Sequence, residues 1–306
     1  MSPRKTVLIT GCSTGIGNAL AREFHERGKW EWLPSRGTSL SPQLSGLVVF
    51  ATARNEAVLS DLQKAGMTTF ALDVTNDEQI NRVRDQVAEM TGGKLDILVN
   101  NASYSFLYLA AKVRPFPGTI LSVGRYRSRH EGGSRSLRCQ CIRAMRMVKA
   151  FVPLLIASGD ACILQVGSVA AVTPYPFGSA YSSSKAALHA YGNTLHVELS
   201  PFNIKVVNLC TGSMKSDIVE NKLNPLPNHS LYKSLEPIIL AKRREVSQGG
   251  AISAEQYAKD VVQEALKTSP RAWFVWILDT FLPRTAFDNV MKRWYGLEHI
   301  SSRSQL

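Results

Sequence analysis

The chain has 306 residues, 44% of them hydrophobic and 20% charged, which suits one large domain with a buried core, spanning 1–306. No run of about 18 apolar residues occurs, which excludes a membrane-spanning helix. The net charge of +12 does not describe a nucleic-acid binder, because the window Lys112–Lys149 holds ten Lys/Arg against Glu131 alone and carries +9 of it.

Strand-like and helix-like segments alternate from the start. Val7-Leu-Ile-Thr10 reads as a buried strand, and Gly15 to Gly28 as a helix with Ile16, Leu20 and Phe24 on one stripe. Leu47 to Thr52 is the second strand and Asn55 to Ala65 a helix. Thr68 to Leu72 is the third strand, followed by a helix from Asn76 to Thr91 with Ile80, Val83 and Val87 inward. Leu95 to Asn100 is the fourth strand. After an irregular stretch, Met145 to Ala157 reads as a helix and Cys162 to Val166 as the fifth strand. Ala180 to Leu199 is a long helix, and Lys205 to Leu209 the sixth strand. Continuous apolar strands alternating with helices predict an α/β fold, a doubly wound parallel sheet covered on both faces. Ligands of such sheets bind at the carboxyl ends of the strands.

The polar segment 212–250, with prolines at 225 and 227, reads as a substrate lid. Ser253-Ala-Glu-Gln256 has the form of a capping box and starts a helix through Leu266. The C-terminal extension 271–306 carries Trp273, Phe274, Trp276, Phe281, Leu282, Phe287, Val290, Met291 and Trp294. This apolar tail fits either a lipid or membrane surface or packing on the domain or on a second copy. The five cysteines are scattered and odd in number, which predicts a reducing compartment. The short apolar run at Thr6–Thr10 is not a signal peptide, so a cytoplasmic location is expected. Neither the cysteines nor His189 and His196 are grouped as metal ligands.

Three motifs carry chemistry. Thr10-Gly-Cys-Ser-Thr-Gly-Ile-Gly17 stands between the first strand and the first helix. There Gly11, Gly15 and Gly17 permit a tight turn and close backbone approach to a pyrophosphate, and the helix N-terminus offers free N–H groups. Arg54 closes the second strand, where a dinucleotide-binding fold meets the adenosine ribose; an arginine there suits a 2′-phosphate and favours NADP(H) over NAD(H). Tyr181 and Lys185 are spaced i, i+4 on one helix face. The ammonium is expected to lower the phenol pKa from about 10 and make it a usable acid or base. Ser168, from the end of the fifth strand, can hold a carbonyl oxygen against that phenol.

Together these segments resemble the short-chain dehydrogenase/reductase family. The matching residues are Thr10 to Gly17, Asp73, Asn100-Asn-Ala102, Ser168, Tyr181 and Lys185, in family order. The resemblance implies that Ser168 polarises the substrate oxygen, Tyr181 exchanges its proton, and Lys185 tunes Tyr181 and holds the nicotinamide ribose. It implies cofactor contacts from Gly11, Ser13, Gly15, Ile16, Gly17, Arg54, Asp73, Asn101, Met214 and Ser216. Ala51-Thr-Ala-Arg54 and Trp276 to Arg284 are similar to fungal members of the NADPH-dependent 1-acyldihydroxyacetone-phosphate reductase type. A ketone or alcohol substrate is therefore implied, either lipid-like or from fungal secondary metabolism, as is a homo-oligomer. The alternative is a catalytically weak, cofactor-binding interaction protein.

Two stretches depart from the family. Removing 29–46 would join Gly28 to Leu47 as an ordinary helix-to-strand connection, which suggests a translated intron. In 112–143, Arg138-Cys-Gln-Cys-Ile-Arg143 stands where the family has an active-site asparagine on a helix. Read one nucleotide later, those residues can be coded as Asp-Val-Asn-Val-Phe, so the arginine excess reads as a frame change that removes the asparagine and its helix.

Overall fold

The computed structural model describes residues 4–29, 47–102, 131–176, 178–214, 232–248 and 251–266. Six strands form one parallel sheet: β1 (Lys5–Thr10), β2 (Leu47–Ala53), β3 (Thr68–Ala71), β4 (Ile97–Asn100), β5 (Ala161–Val166) and β6 (Ile204–Leu209). Their spatial order is β3-β2-β1-β4-β5-β6. The chain runs outward from β1 in both directions, so the carboxyl ends of β1 and β4 flank the switch point where such folds bind ligands.

Successive residues of β1 face opposite layers, and both layers are dry. Val7 and Ile9 point into a cluster with Leu20, Phe24, Val49, Val99 and Val262, built on α1 (Gly15–Lys29) and α7 (Ala254–Leu266). Leu8 joins Phe50, Leu98, Met147, Phe151 and Ile163 on the other face, beneath α3 (Asp77–Thr91), α4 (Glu131–Ser158) and α5 (Ser179–Leu199). This double coverage is why the strands read as unbroken apolar runs. Truncating a wholly buried ring such as Phe151 would cost about 3–5 kcal/mol.

Local signals fixed several boundaries. Asn76 accepts from the Gln79 N–H and caps α3, whose C-terminus stops at left-handed Gly92. Such a cap is worth about 1 kcal/mol. The Ser253 hydroxyl accepts from the Gln256 N–H at 3.2 Å and starts α7. Two elements differ from the sequence reading. The segment after β2 is a tight turn over Glu56–Leu59 leading into the short helix α2 (Ser60–Lys64). More consequentially, α4 starts at Glu131 rather than Met145, so the helix read as missing is present. Gln140, Cys141, Ala144, Met147, Val148 and Phe151 are all buried. That helical stripe continues N-terminal of Met145 despite the arginines between its members.

In the lid range 212–250, α6 (Glu236–Gln248) follows a turn at Lys233–Leu235 and buries Leu235 and Ile239. The tail 271–306, most of 29–46, and 103–130 lie outside the described residues. No helix among the described residues is long and apolar enough to cross a membrane.

The backbone of Gly28 lies directly against Leu47. A Cβ on Gly28 would collide with the Leu47 nitrogen and sit 3.1 Å from its Cα. The two ends of the stretch 29–46 therefore meet at one point. Deleting 29–46 is expected to preserve the folded core, with a thermal unfolding midpoint within a few degrees of the full chain. A variant that emerges unfolded by circular dichroism would contradict this.

Candidate active site

The site grows from the joined ends of β1 and β4. Thr10 Oγ1 donates to the Val99 carbonyl at 3.1 Å and accepts from the N–H groups of Asn101 and Ala102, both at 3.0 Å. The Asn101 side chain returns the link, its Nδ2 donating to the carbonyls of Thr10 (2.8 Å) and Gly11 (3.1 Å). Gly11 sits at φ 76° and Gly15 at φ 60°, in the left-handed region that glycine enters without strain. Gly17 has an ordinary backbone but no spare room, because a Cβ there would strike the Gly11 carbonyl oxygen and Asn101 Nδ2. The turn is thus drawn tight, with Ser13 exposed on it and Ile16 half-buried against the core. Cys12 lies inside the turn; its N–H donates to the Thr52 carbonyl, and burial raises its thiol pKa to about 12.

Arg54 is exposed at the end of β2. Asp73 follows β3 and accepts from the Thr75 N–H and hydroxyl at 2.9 and 2.7 Å. Burial pushes the Asp73 carboxyl up, but the Thr75 bonds and the charges of Arg143 and Arg54 outweigh it, leaving the pKa below its ordinary value. Arg54, Asp73 and Arg143 thus share one edge of the site.

Ser168 directly follows β5. Its Oγ accepts from the Ala170 N–H at 3.2 Å, capping a short turn at Val169–Ala171, and the hydroxyl is near enough to the Tyr181 phenol to favour its anion. Tyr181 and Lys185 lie in the first two turns of α5. Lys185 is 4% exposed, and its Nζ donates to the Val166 carbonyl at 2.7 Å. Burial lowers its pKa to about 8. The Lys185 ammonium is 5.9 Å from the Tyr181 ring centre.

The electrostatics correct one expectation. Tyr181 has a raised pKa: burial of the phenolate dominates, the Ser168 hydrogen bond offsets part of it, and the nearby Tyr175 phenol adds to the rise. Desolvation penalises the anion, and Lys185 is not among the groups that offset it.

A narrow crevice of ≈ 10 Å³ reaches Lys185, with about the room for one water. Thr10, Asn100, Asn101, Gln140, Arg143 and Lys185 are among its lining. The structure therefore brings Asn101 and Lys185 to one crevice, with Gly11 bonded to Asn101, the Tyr181 ring near Lys185 and Ser168 following β5. Met214 follows β6 and pairs with Ile252 ahead of α7; Ser216 lies outside the described residues.

Several residues escaped the sequence reading. Gln140 is 3% exposed and faces the crevice, in the register where the resemblance expects asparagine. The arginine-rich composition around it hid that register. Thr211 follows β6 by two residues. Its carbonyl accepts from the Val169 N–H at 3.0 Å, beside Ser168, and its hydroxyl bonds Tyr257 of α7 at 2.7 Å. His189 Nε2 accepts from the Ser168 N–H at 3.4 Å, which supports the serine's backbone from inside α5. No single-residue signal pointed to either contact.

Residues 5–226 match the family model for short chain dehydrogenases. The chain belongs to the short-chain dehydrogenase family. It is 34% identical to the short-chain dehydrogenase RED1 of Pyricularia oryzae, covering 97% of this chain and 96% of the relative. It is 33% identical to the NADPH-dependent 1-acyldihydroxyacetone phosphate reductase of Schizosaccharomyces pombe, over 84% of this chain and 77% of that one. Among solved structures, a short-chain dehydrogenase from Streptomyces avermitilis superposes with a TM-score of 0.65 at 21% identity, covering 97% and 99% of the two chains. An alcohol dehydrogenase from Thermococcus sibiricus, complexed with 5-hydroxy-NADP, superposes with a TM-score of 0.59 at 21% identity, over 88% and 94%. Family membership makes the chain an oxidoreductase of a nicotinamide dinucleotide. The glycine turn fits that cofactor, because Gly11 and Gly17 let the backbone close tightly on Asn101 and Ala102 ahead of the α1 N-terminus, where a phosphate can bind.

Gly17→Ala tests the cradle. Dinucleotide affinity, read by fluorescence titration, should weaken by about tenfold or more, equivalent to about 1.4 kcal/mol. Unchanged affinity in a folded variant would contradict the assignment.

Proposed function

We propose that this short-chain dehydrogenase interconverts a ketone and a secondary alcohol with NADP(H). The observation that carries the reading is the buried Lys185 ammonium, 5.9 Å from the centre of the Tyr181 ring and bonded to the carbonyl of Val166, two residues before Ser168.

The chain's residues divide the work. Gly11, Ser13, Gly15, Ile16 and Gly17 would receive the pyrophosphate, Asp73 the adenine, and Lys185 the nicotinamide ribose. Asn101 shapes the wall, and Met214 with Ser216 would border the nicotinamide. Bound NADPH supplies the hydride. Ser168 and Tyr181 grip the carbonyl oxygen from two sides. A phenol with a raised pKa stays protonated at neutral pH, so Tyr181 can donate its proton as charge builds on that oxygen. Lys185, still mostly cationic at pH 7, places positive charge near the same atoms and stabilises them in a water-poor site.

Preference for NADP(H) is supported by Arg54, whose fork suits a phosphate, and by the NADPH dependence in the name of the fission-yeast relative. A lipid-like ketone, or one of fungal secondary metabolism, is supported by that relative's name and by Val169 and Val172. Those valines flank Ser168 and remain 41% and 40% exposed. A homo-oligomer through α4 and α5 would cover Ile142, Met145 and Val197, which are exposed. Gln140 in the asparagine register supports the second reading, a binding protein with little turnover.

Turnover with a ketone panel separates the two readings. Tyr181→Phe should lower ketone reduction by about 10²–10⁴-fold while leaving NADPH affinity unchanged; NADPH binding without any turnover in the parent chain would favour the binding protein. Arg54→Ala should weaken NADPH by about tenfold or more and leave NADH alone. The pH dependence follows from Lys185. In kcat/KM for NADPH, which reports the free protein, reduction should fall as pH rises through about 8, where the ammonium loses its proton. The falling limb should move to higher pH in Lys185→Arg; the same limb in both proteins would assign it to another group.

A further inference from the structure

The backbone that carries Ser168 has its N–H groups taken up one after another. The Ser168 N–H donates to His189 Nε2 at 3.4 Å, the Val169 N–H to the Thr211 carbonyl at 3.0 Å, and the Ala170 N–H to the Ser168 hydroxyl at 3.2 Å. Other elements fix two of these acceptors. Thr211 is tied to Tyr257 of α7. His189 lies on α5, one turn beyond Lys185, and is 9% exposed. Its imidazole is seated against the backbone just ahead of the serine. A Cβ on Gly167 would collide with His189 Nε2 and Cδ2 and with the Leu209 carbonyl oxygen. The Asn208 amide of β6 donates to the His189 carbonyl at 3.0 Å, which anchors the helix turn that bears the ring. None of the steps assigned to Ser168, Tyr181 and Lys185 uses this imidazole.

An imidazole accepts at Nε2 only when the ring is neutral and carries its proton on Nδ1. The bond from Ser168 therefore selects one tautomer of His189. Its effect reaches the serine hydroxyl. Ser168 Oγ is bonded to the N–H two residues on, so the hydroxyl follows the path of the turn. Ser168 is itself buried. Without His189 its N–H would lose its acceptor in a dry site, a costly state that the turn relieves by shifting the serine.

We infer that His189 is a positioning residue: its neutral, Nδ1-protonated imidazole accepts from the Ser168 N–H and sets where the serine hydroxyl meets the substrate oxygen. It acts through Ser168 alone and has no contact of its own with the reacting atoms. The inference rests on the ketone-reductase reading and deepens it, because Ser168 must hold the reacting oxygen for its position to affect the rate. A misplacement of about 1 Å can slow a reaction by about 10²-fold, so a small shift of the turn is enough to be measured.

The test compares the full-length parent chain with His189→Gln and His189→Leu, using NADPH and the ketone panel. Glutamine can place its Oε1 about where Nε2 stands and accept the same N–H, whereas leucine fills the space and accepts nothing. His189→Leu should lower kcat by about tenfold or more while NADPH affinity and KM for the ketone stay within about twofold. His189→Gln should recover most of that loss. An unchanged kcat in His189→Leu would overturn the inference. Equal losses in both variants, or a loss of NADPH affinity that matches the loss in kcat, would make His189 a packing residue and overturn it as well. A measurement on the parent chain stands even if His189→Leu does not fold. In nitrogen NMR spectra, the histidine signal that His189→Gln lacks should report a protonated Nδ1 and a bare Nε2. The opposite tautomer in a parent chain that reduces ketones would overturn the inference alone. Turnover of no ketone by a parent chain with the expected tautomer would remove the reductase reading, and the positioning role with it.

Discussion

The hydroxyl of Thr10 binds the end of β1 to the end of β4, and the site depends on that junction. It stands at the switch point of the strand order, where two neighbouring strands send their connections in opposite directions and leave a gap. The Asn101 amide closes the gap from below by bonding the Thr10 and Gly11 carbonyls. Gly17 then packs so tightly on the pair that no side chain fits. Backbone N–H groups at the start of α1 are thereby aimed outward at one spot. A cofactor cradle follows from three hydrogen-bonded residues and an absent methyl group.

Burial decides the chemistry at the other end of the site. Lys185 and Tyr181 are spaced to share a helix face, which by itself favours mutual lowering of the phenol pKa. Both groups are instead held in a water-poor crevice edge, where the charged form of each is penalised. The lysine donates to the Val166 carbonyl and, with its pKa lowered only to about 8, keeps its charge at neutral pH. The tyrosine keeps its proton, which is the state a donor to a nascent alkoxide requires. Support comes from elements distant in sequence. The Thr211 carbonyl and His189 imidazole hold the backbone around Ser168, and Tyr257 ties Thr211 to α7.

The sequence carried the sheet, because strands buried on both faces cannot disguise their apolar runs. It carried the glycine turn, Asn101, Ser168, Tyr181 and Lys185 because spacing along one strand end or helix face survives without coordinates. It misplaced the start of α4, where arginines interleave with Gln140, Cys141 and Ala144 and swamp the composition of a buried stripe. It missed the sign of the Tyr181 shift, since desolvation depends on what covers a residue and not on its neighbour at i+4. The contacts of Thr211 and Tyr257 were not legible because only the folded chain creates them.

The central claim is that the Ser168, Tyr181 and Lys185 cluster directs a hydride onto a carbonyl carbon. The most direct measurement is product mass spectrometry after incubating the full chain with a ketone and NADPH deuterated at the transferable position of its nicotinamide. The account predicts an alcohol carrying a single deuterium at the former carbonyl carbon. Consumption of NADPH that yields product without that deuterium, or saturable NADPH binding with no product, would contradict it.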